Sequence, residues 1–358
     1  MKFLRMALAL APALAGCVRQ PTHELDRPPP KPAAALTQPT RLCVTAAPHR
    51  PCRDAIDVEG WLLSPDLEIA GVDLTPTGIQ GAQVLTLRVA GPQPVVFRAK
   101  WRAHSTTDGK NSPRRELAAH TVQKLFLSPR EWVVPPSAPH CFPLDAYRAA
   151  VDPLAQATFS QAPCVYGVLQ YWLENVQTLP DAEEAGWFDF TDDGMLDDEL
   201  FDSSPVYRDA ITAVNLVTYL IGHADSHWKQ FLISKDKDLP ITYSVDNSMS
   251  FDAKKNTRVH QDWSELRVPR LPRRQVERLR AASQDLGSLA AVAELTPQGS
   301  TLAVVPATAN PGLYPNHGLE WVGGHLRVRL TSAEIASLRH RLYELLERID
   351  RGEIAVVD

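Results

Sequence analysis

The spacing of apolar residues divides this chain into a strand-rich first half and a helix-rich second half. From Leu67 the sequence LEIAGVDLTPTGIQGAQVLTLRVAGPQPVVFRAKWR is β-prone, and Thr77-Gly78 and Gly91-Pro92 cut it into three runs, the pattern of an antiparallel meander. In the third run the two-residue period places Val96, Arg98 and Lys100 on one face and Val95, Phe97, Ala99 and Trp101 on the other. The period then lengthens. In PRRELAAHTVQKLF, Ala118, Val122, Leu125 and Phe126 fall at i, i+4, i+7 and i+8, which predicts a helix with one buried stripe and Glu116 in its first turn. PVYRDAITAVNLVTYLIG repeats the pattern with Ala210, Val214, Val217 and Ile221, and Gly222 ends it. FLIS and ITYSV, joined by KDKDLP, predict a hairpin. Near the C-terminus Ile335, Leu338, Leu342, Leu345 and Ile349 predict a core helix, with Ser332 as a cap ahead of Glu334.

The first residues, MKFLRMALALAPALAGC, change the picture of where this chain works. Lys2 and Arg5 precede a short apolar run and Leu14-Ala15-Gly16-Cys17, the pattern of a signal peptide over residues 1–16, too short to span a bilayer as a mature helix. The pattern resembles a bacterial lipoprotein signal, in which Cys17 is acylated and becomes the new N-terminus. Several acyl chains would hold the mature protein on a lipid bilayer, so the expected location is the cell envelope, on its periplasmic or cell-surface side. Residues 17–40 hold six prolines between Pro21 and Pro39 and show no apolar period, so they predict an extended tether.

The remaining sequence, about 320 residues, is long enough for a full core in two lobes, divided here as residues 41–165 and 166–358. A net charge of −5 gives no reason to expect a nucleic-acid partner. Apart from Cys17 the cysteines are Cys43, Cys52, Cys141 and Cys164, an even number in an exported chain. Three pairings are open; the spacing favours Cys43 with Cys52 and Cys141 with Cys164. No CxxC occurs, which argues against a zinc ribbon, and His223 with His227 lacks both the Glu and the third ligand of a zinc hydrolase. Ten acids without a base between Asp181 and Asp202 fail as a calcium loop, because the twelfth position from Asp189 is Leu200, and they read as a solvated insertion. Nine Lys and Arg residues between Lys254 and Arg280 read as a solvated stretch and helix face.

The candidate chemistry lies in HADSHWKQ, a polar loop leaving a buried helix, and in SVDNSMSF after the hairpin. Antiparallel pairing brings the open ends of a hairpin together, so Gln230 is expected to face Asp246. A carboxylate and an amide oxygen are hard ligands of the kind Mg²⁺ or Mn²⁺ accepts when phosphates complete the shell. Asp225, five residues before Gln230, suits a base that receives a hydroxyl proton, in the spacing D-x-x-x-x-N. Lys100 or Arg98 would meet the phosphates of ATP, with Glu116 holding the cation in place.

These segments together resemble a known family. ELAAH with VVPP (Glu116 to His120, Val133 to Pro136), IGHADSHWKQF and VDNSMSF are similar to motifs of the secretory-pathway atypical kinases of the Golgi casein-kinase type. The order runs from about Leu67 to about Glu347 and includes a GVLQYW stretch at Gly167 like the family's inter-lobe strand. The loop also resembles that of HipA-type bacterial kinases, within a wider kinase-like grouping. The resemblance implies an α+β, two-lobe protein-kinase-like fold, with an antiparallel N-lobe sheet and a mainly helical C-lobe. It implies Asp225 as base, Asp246 as principal metal ligand, Gln230 at the second metal position and Glu116 as the helix acid. Aligning on Phe97 would put Arg98 at the nucleotide lysine; Lys100, a compact ammonium on the same face, suits the role better. His223, Ser226 and Ser248 stand where the family has Asn, Arg and Gly. Two functions follow as expectations. One is an envelope-anchored kinase passing phosphate from ATP to a hydroxyl of a protein or glycan; the other is a pseudokinase lipoprotein that binds without turnover.

Overall fold

The computed structural model describes residues 54–358, apart from 76–80, 93, 106–110, 188–195, 237–238, 252–262, 285 and 308–316. Helix α1 (Ala55–Leu62) starts where the Asp54 side chain accepts from the Ile56 amide at 3.0 Å. Strands β1 (Leu67–Leu74), β2 (Gln83–Val89) and β3 (Val95–Ala103) follow as the meander, and helix α2 (Pro113–Gln123) opens on a proline, whose missing N–H costs nothing in a first turn. Then come β4 (Ser137–Pro143), α3 (Leu144–Ala150) and β5 (Cys164–Tyr171). These strands form a five-stranded antiparallel sheet in the order β1-β2-β3-β5-β4. Gly167 on β5 is required by close packing: a Cβ there would lie 2.3 Å from the Arg102 carbonyl oxygen and 2.6 Å from the Trp101 ring. Trp101 is fully buried, edge-on to Phe142 at 5.0 Å, and its indole N–H donates to the Tyr147 hydroxyl at 3.1 Å, so a large apolar ring is buried with its polar atom satisfied.

The second lobe begins with β6 (Val176–Thr178), α4 (Leu179–Glu184), α5 (Asp198–Ser203) and α6 (Pro205–Ile221). Strands β7 (Phe231–Ser234) and β8 (Thr242–Ser244) form the expected hairpin, with β6 on its other side. Helix α6 is buried along most of its surface, and its mid-helix polar residue Asn215 is satisfied by the segment after the hairpin, accepting from Arg267 N at 2.7 Å and donating to Glu265 O at 2.9 Å. Strand β9 (Arg270–Pro272) and helix α7 (Arg273–Ala282) are followed by β10 (Ala293–Gln298), β11 (Thr301–Val305), β12 (Leu319–Val322) and β13 (His325–Val328). Helix α8 (Ser332–Asp350) and β14 (Ala355–Val357), which pairs in parallel with β9, close the chain. The fold is therefore α+β, with a five-stranded antiparallel sheet in one lobe and helices with smaller sheets in the other.

Several expectations are corrected. The antiparallel sheet β11-β10-β13-β12 does not figure in the sequence reading of a mainly helical second half. Its inner face joins Leu117 of α2, the Cys141–Cys164 disulfide and Tyr166 in a second apolar cluster. Helix α2 thus has apolar neighbours on two sides and is buried well beyond one stripe, while Leu125, expected in that stripe, lies past its end and is only half-buried. The cap of α8 is Thr331, one residue earlier than Ser332: its hydroxyl accepts from Glu334 N at 3.3 Å and Glu334 accepts from Thr331 N at 2.8 Å, a reciprocal capping box. The lobe boundary expected between residues 165 and 166 falls inside β5, and the described residues pack as one unit. Cys17, Cys43, Cys52 and the tether lie outside the described residues.

Charged residues at the start of α2 reach across the molecule. Arg114, 2% exposed, donates from Nη1 and Nη2 to the two oxygens of Glu334, each at 2.9 Å, and from Nη1 to Arg329 O at 3.0 Å; Arg115 adds a 2.8 Å bond to Glu334. The Arg114 side chain lies over Gly318, where any Cβ would collide with it at 1.9 Å. A fork-to-fork pair of this kind fixes direction as well as distance, so α2 is tied at its N-terminal end to the start of α8.

Candidate active site

The alternation of β3 sends Phe97, Ala99 and Trp101 into the core and Lys100 and Arg102 to the opposite face. Arg98 is on that face too but exposed, so of the two expected cations it is Lys100 that reaches the cleft. Lys100 Nζ donates to Asp246 Oδ1 at 3.0 Å. Arg102, which the sequence reading did not single out, donates from Nη1 to Ser248 Oγ at 2.7 Å and to Asn111 Oδ1 at 2.8 Å, and stands 3.9 Å from Asp246 Oδ1. The same two-residue period that marked Arg98 and Lys100 marks Arg102 at the next step. Lys100, Arg102, Pro113, Glu116, Val168 and Gln170 line a small open crevice.

Glu116 projects into this crevice from the first turn of α2. It is 3% exposed, and among the described residues neither carboxyl oxygen makes a well-formed hydrogen bond, although the Gln170 side chain lies close enough to act on it weakly. Burial is the largest influence on it and raises its pKa, which the nearby Lys100 opposes without cancelling. Asp246 shares the cleft and shifts the other way. Burial raises it as well, but the charge and hydrogen bond of Lys100, with Arg102 behind, hold it below the usual carboxylate range. All the hydrogen bonds and ion pairs of Asp246 among the described residues run through Oδ1, which leaves Oδ2 open.

The facing wall is built by the end of α6. Gly222 terminates it in the left-handed region, φ 55°, under the Arg341 guanidinium, which a Cβ would meet at 2.6 Å. His223 is fully buried and burial pushes it down to about 4, so it is neutral; its Nδ1 accepts from Asp225 N at 3.3 Å. Two backbone bonds, Ala224 N to Met249 O at 3.0 Å and Phe251 N to Ile221 O at 2.6 Å, tie this loop to the segment after the hairpin. Asp225 Oδ2 accepts from Gln230 Nε2 at 3.2 Å and its Oδ1 is 3.8 Å from His227 Nε2. Both residues are about a quarter exposed, which leaves Asp225 accessible to an incoming group.

The expected facing of Gln230 and Asp246 is off by one residue. Phe231 pairs with Ser244, so Gln230 lies opposite Val245 and accepts from its amide at 2.9 Å, while Asp246 leaves the strand at φ 56°. The Gln230 carboxamide turns to Asp225 instead. The donors suited to a hard divalent ion are then Asp246 Oδ2 and the Glu116 carboxyl, which lines the same crevice as Lys100. Among the described residues no three His, Cys, Asp or Glu side chains converge on a metal position, so such an ion would need phosphate oxygens to fill its shell.

The two walls are joined by the VVPP segment. Gln123, at the end of α2, accepts from Val133 N and Val134 N, each at 2.9 Å, and donates to Val134 O at 2.7 Å; Val133 O in turn accepts from Ser244 N of β8 at 3.0 Å. His120 stands beside Gln123 and faces Glu59 of α1 at 3.4 Å. The described arginines of the basic stretch stay at the surface, as expected, and make ion pairs there: Arg274 and Arg278 with Glu131, and Arg270 with Asp202 of the acidic insertion. The described acids of that insertion lie on α4 and α5. No helix of the described residues is long and apolar enough to cross a membrane.

No protein-family model matches the sequence, and no curated protein matches it either. Among solved structures, that of hydra Fam20 with sugar aligns with a TM-score of 0.48 at 15% identity, over 85% of this chain and 92% of that one.

Proposed function

We propose that this cleft transfers a phosphoryl group from a nucleoside triphosphate, ATP with Mg²⁺ or Mn²⁺, to a hydroxyl of a protein or glycan acceptor. The observation that carries the reading is the meeting of Lys100 and Asp246 from opposite walls at 3.0 Å, beside a buried Glu116 whose oxygens make no well-formed hydrogen bond among the described residues. A lysine between two carboxyls has two places to go, and phosphates entering the crevice give it a third. Asp246 Oδ2 and Glu116 would hold the divalent ion, which when bound neutralises charge on the phosphates. Asp225 serves as base: as the acceptor oxygen bonds to the γ-phosphorus and the bond to the nucleoside diphosphate breaks, the hydroxyl proton passes to its carboxylate. Gln230 orients that carboxylate through the 3.2 Å bond to Oδ2. In this reading acylated Cys17 and the Pro-rich tether hold the domain on the envelope membrane.

The test is incubation of the purified protein with γ-labelled ATP and Mn²⁺, alone and with protein and glycan acceptors, beside calorimetric titration of a non-hydrolysable analogue. Label transfer by wild type, with analogue binding lost in Asp246→Ala, supports the reading. Absence of metal-dependent binding by wild type overturns it. The rival, a binding module without turnover, draws on the neutral Gln230 in the second metal position; it would show analogue binding without label transfer.

A further inference from the structure

We propose that Arg102 is a second phosphate-binding cation of the cleft, seated by Ser248 and Asn111, and that its fixed charge lets the site work with a single divalent ion. The inference deepens the phosphoryl-transfer reading and rests on it.

Four observations converge. Lys100 and Arg102 share one face of β3, about 7 Å apart along the strand, a separation that lets their head groups meet different phosphoryl groups of one polyphosphate. The Arg102 side chain is 11% exposed, yet its hydrogen bonds go to neutral oxygens: Asn111 Oδ1, Asn111 O and Ser248 Oγ. Its nearest carboxylate oxygen, Asp246 Oδ1 at 3.9 Å, is already bonded to Lys100. A guanidinium cannot shed its proton to relieve such a position, so the site holds a permanent positive charge that shares the Asp246 carboxylate with Lys100, an excess of cations that favours an anion.

Ser248 makes sense of this placement. It stands where the family that this sequence resembles has glycine, and its hydroxyl accepts from Arg102 at 2.7 Å and donates to Asp246 Oδ1 at 3.3 Å. A glycine offers no such bridge. Lastly, Gln230, expected at the second metal position, turns to Asp225 and brings no negative charge. Asp246 and Glu116 suffice for one divalent ion whose shell phosphates complete, and an arginine fork supplies further positive charge toward phosphate without needing ligands of its own.

Calorimetry in Mn²⁺ with a non-hydrolysable ATP analogue and with inorganic tripolyphosphate, together with Mn²⁺ counting by electron paramagnetic resonance, tests the proposal. Wild type should hold one Mn²⁺ with the analogue. Arg102→Gln should weaken both ligands by about tenfold to a hundredfold, the range for a charge-assisted bond, and Arg102→Lys should weaken them less. Ser248→Gly, which releases the guanidinium, should weaken them a few-fold and carries the test should thermal melting show Arg102→Gln unfolded. Wild type that binds the analogue with two Mn²⁺, or an Arg102→Gln variant that binds both ligands as tightly as wild type, overturns this inference and leaves the phosphoryl-transfer reading standing. Arg102-dependent binding of tripolyphosphate without binding of the analogue supports the phosphate site and overturns the nucleotide reading. No binding of either ligand by wild type overturns both.

Discussion

The two walls of the cleft are held in place by different means. The β3–α2 wall depends on contacts far apart in sequence: Arg114 and Arg115 reach Glu334 across more than 200 residues, and the sheet β10–β13 covers the flank of α2. The facing wall is held mostly by local contacts, with Arg341 of α8 over Gly222 as a distant support. His223, Asp225, His227 and Gln230 are positioned by turns within the loop and by two backbone bonds to the Met249–Phe251 segment. One wall can therefore be displaced without touching a reacting group, and the other can be altered chemically without disturbing the fold. The largest expected effect follows from the second half of that statement. Asp225→Asn keeps the shape and removes the base, so turnover should fall by about 10² to 10⁴ while affinity for an ATP analogue stays within a few-fold. Equal loss of binding and turnover would place Asp225 in the ligand set instead, and the division between the walls would fail.

Glu334→Ala acts most directly on the first wall. It removes the carboxylate that two cations share, one of them 2% exposed, and breaking a buried pair in this way costs about 3–5 kcal/mol. The expected outcome is a large drop in urea midpoint, with weakened binding of the analogue through a loosened α2 and an Asp225 loop that still protects its amides from hydrogen exchange. Loss of protection in both walls together would show that they unfold as one unit and are not independent.

The disulfide lies on the first wall's side too, joining β4 to β5 with Cα atoms 5.5 Å apart and a separation of 23 residues. Replacing Cys141 and Cys164 by Ser should lower unfolding free energy by about 2–4 kcal/mol. Denaturant titrations of the variant, and of wild type with reductant, measure it. Because the crosslink is remote from the Asp225 loop, the ratio of turnover to binding should not change.

The local wall was the more legible from sequence for the same physical reason. A motif confined to HADSHWKQ and VDNSMSF can be read without knowing what packs on it, and the hairpin that joins them has strong turn signals. Gln230 departs from that local pattern, because Asp246 leaves the strand in a left-handed conformation and the last paired residue is Val245. The distant wall was legible only in part. The period of two in β3 was visible, and extending it one step would have given Arg102. No local pattern says that Arg114 will find Glu334, and the stripe on α2 understated its burial because a second sheet covers another side. That sheet did leave traces: LEWV and HLRV flank Gly323-Gly324, a two-residue hairpin signal, and Gly299 turns β10 into β11 at φ 60°.

The smallest effect expected, and the most diagnostic of the cleft, concerns Glu116. Its folded-state pKa is raised by burial, so at pH above the usual carboxylate range the unfolded chain has lost a proton that the folded protein still holds. Stability then falls with rising pH, because the folded state binds more protons than the unfolded one. Glu116→Gln removes this dependence. Without ligands its melting temperature should match wild type under acidic conditions, where the carboxyl is protonated in both states, and exceed it increasingly toward neutral pH. With Mn²⁺ and an ATP analogue the order should invert, since a ligand that uses the Glu116 carboxylate stabilises wild type more than the variant. Melting curves between pH 4 and pH 8, with and without ligand, separate the outcomes. A gap that does not change with pH would mean that Glu116 is ionised and paired in solution, most simply with Lys100 turned away from Asp246. A gap that grows with pH and does not invert on adding ligand would keep the buried carboxyl but remove it from the metal site, leaving Asp246 to hold the ion with the phosphates alone.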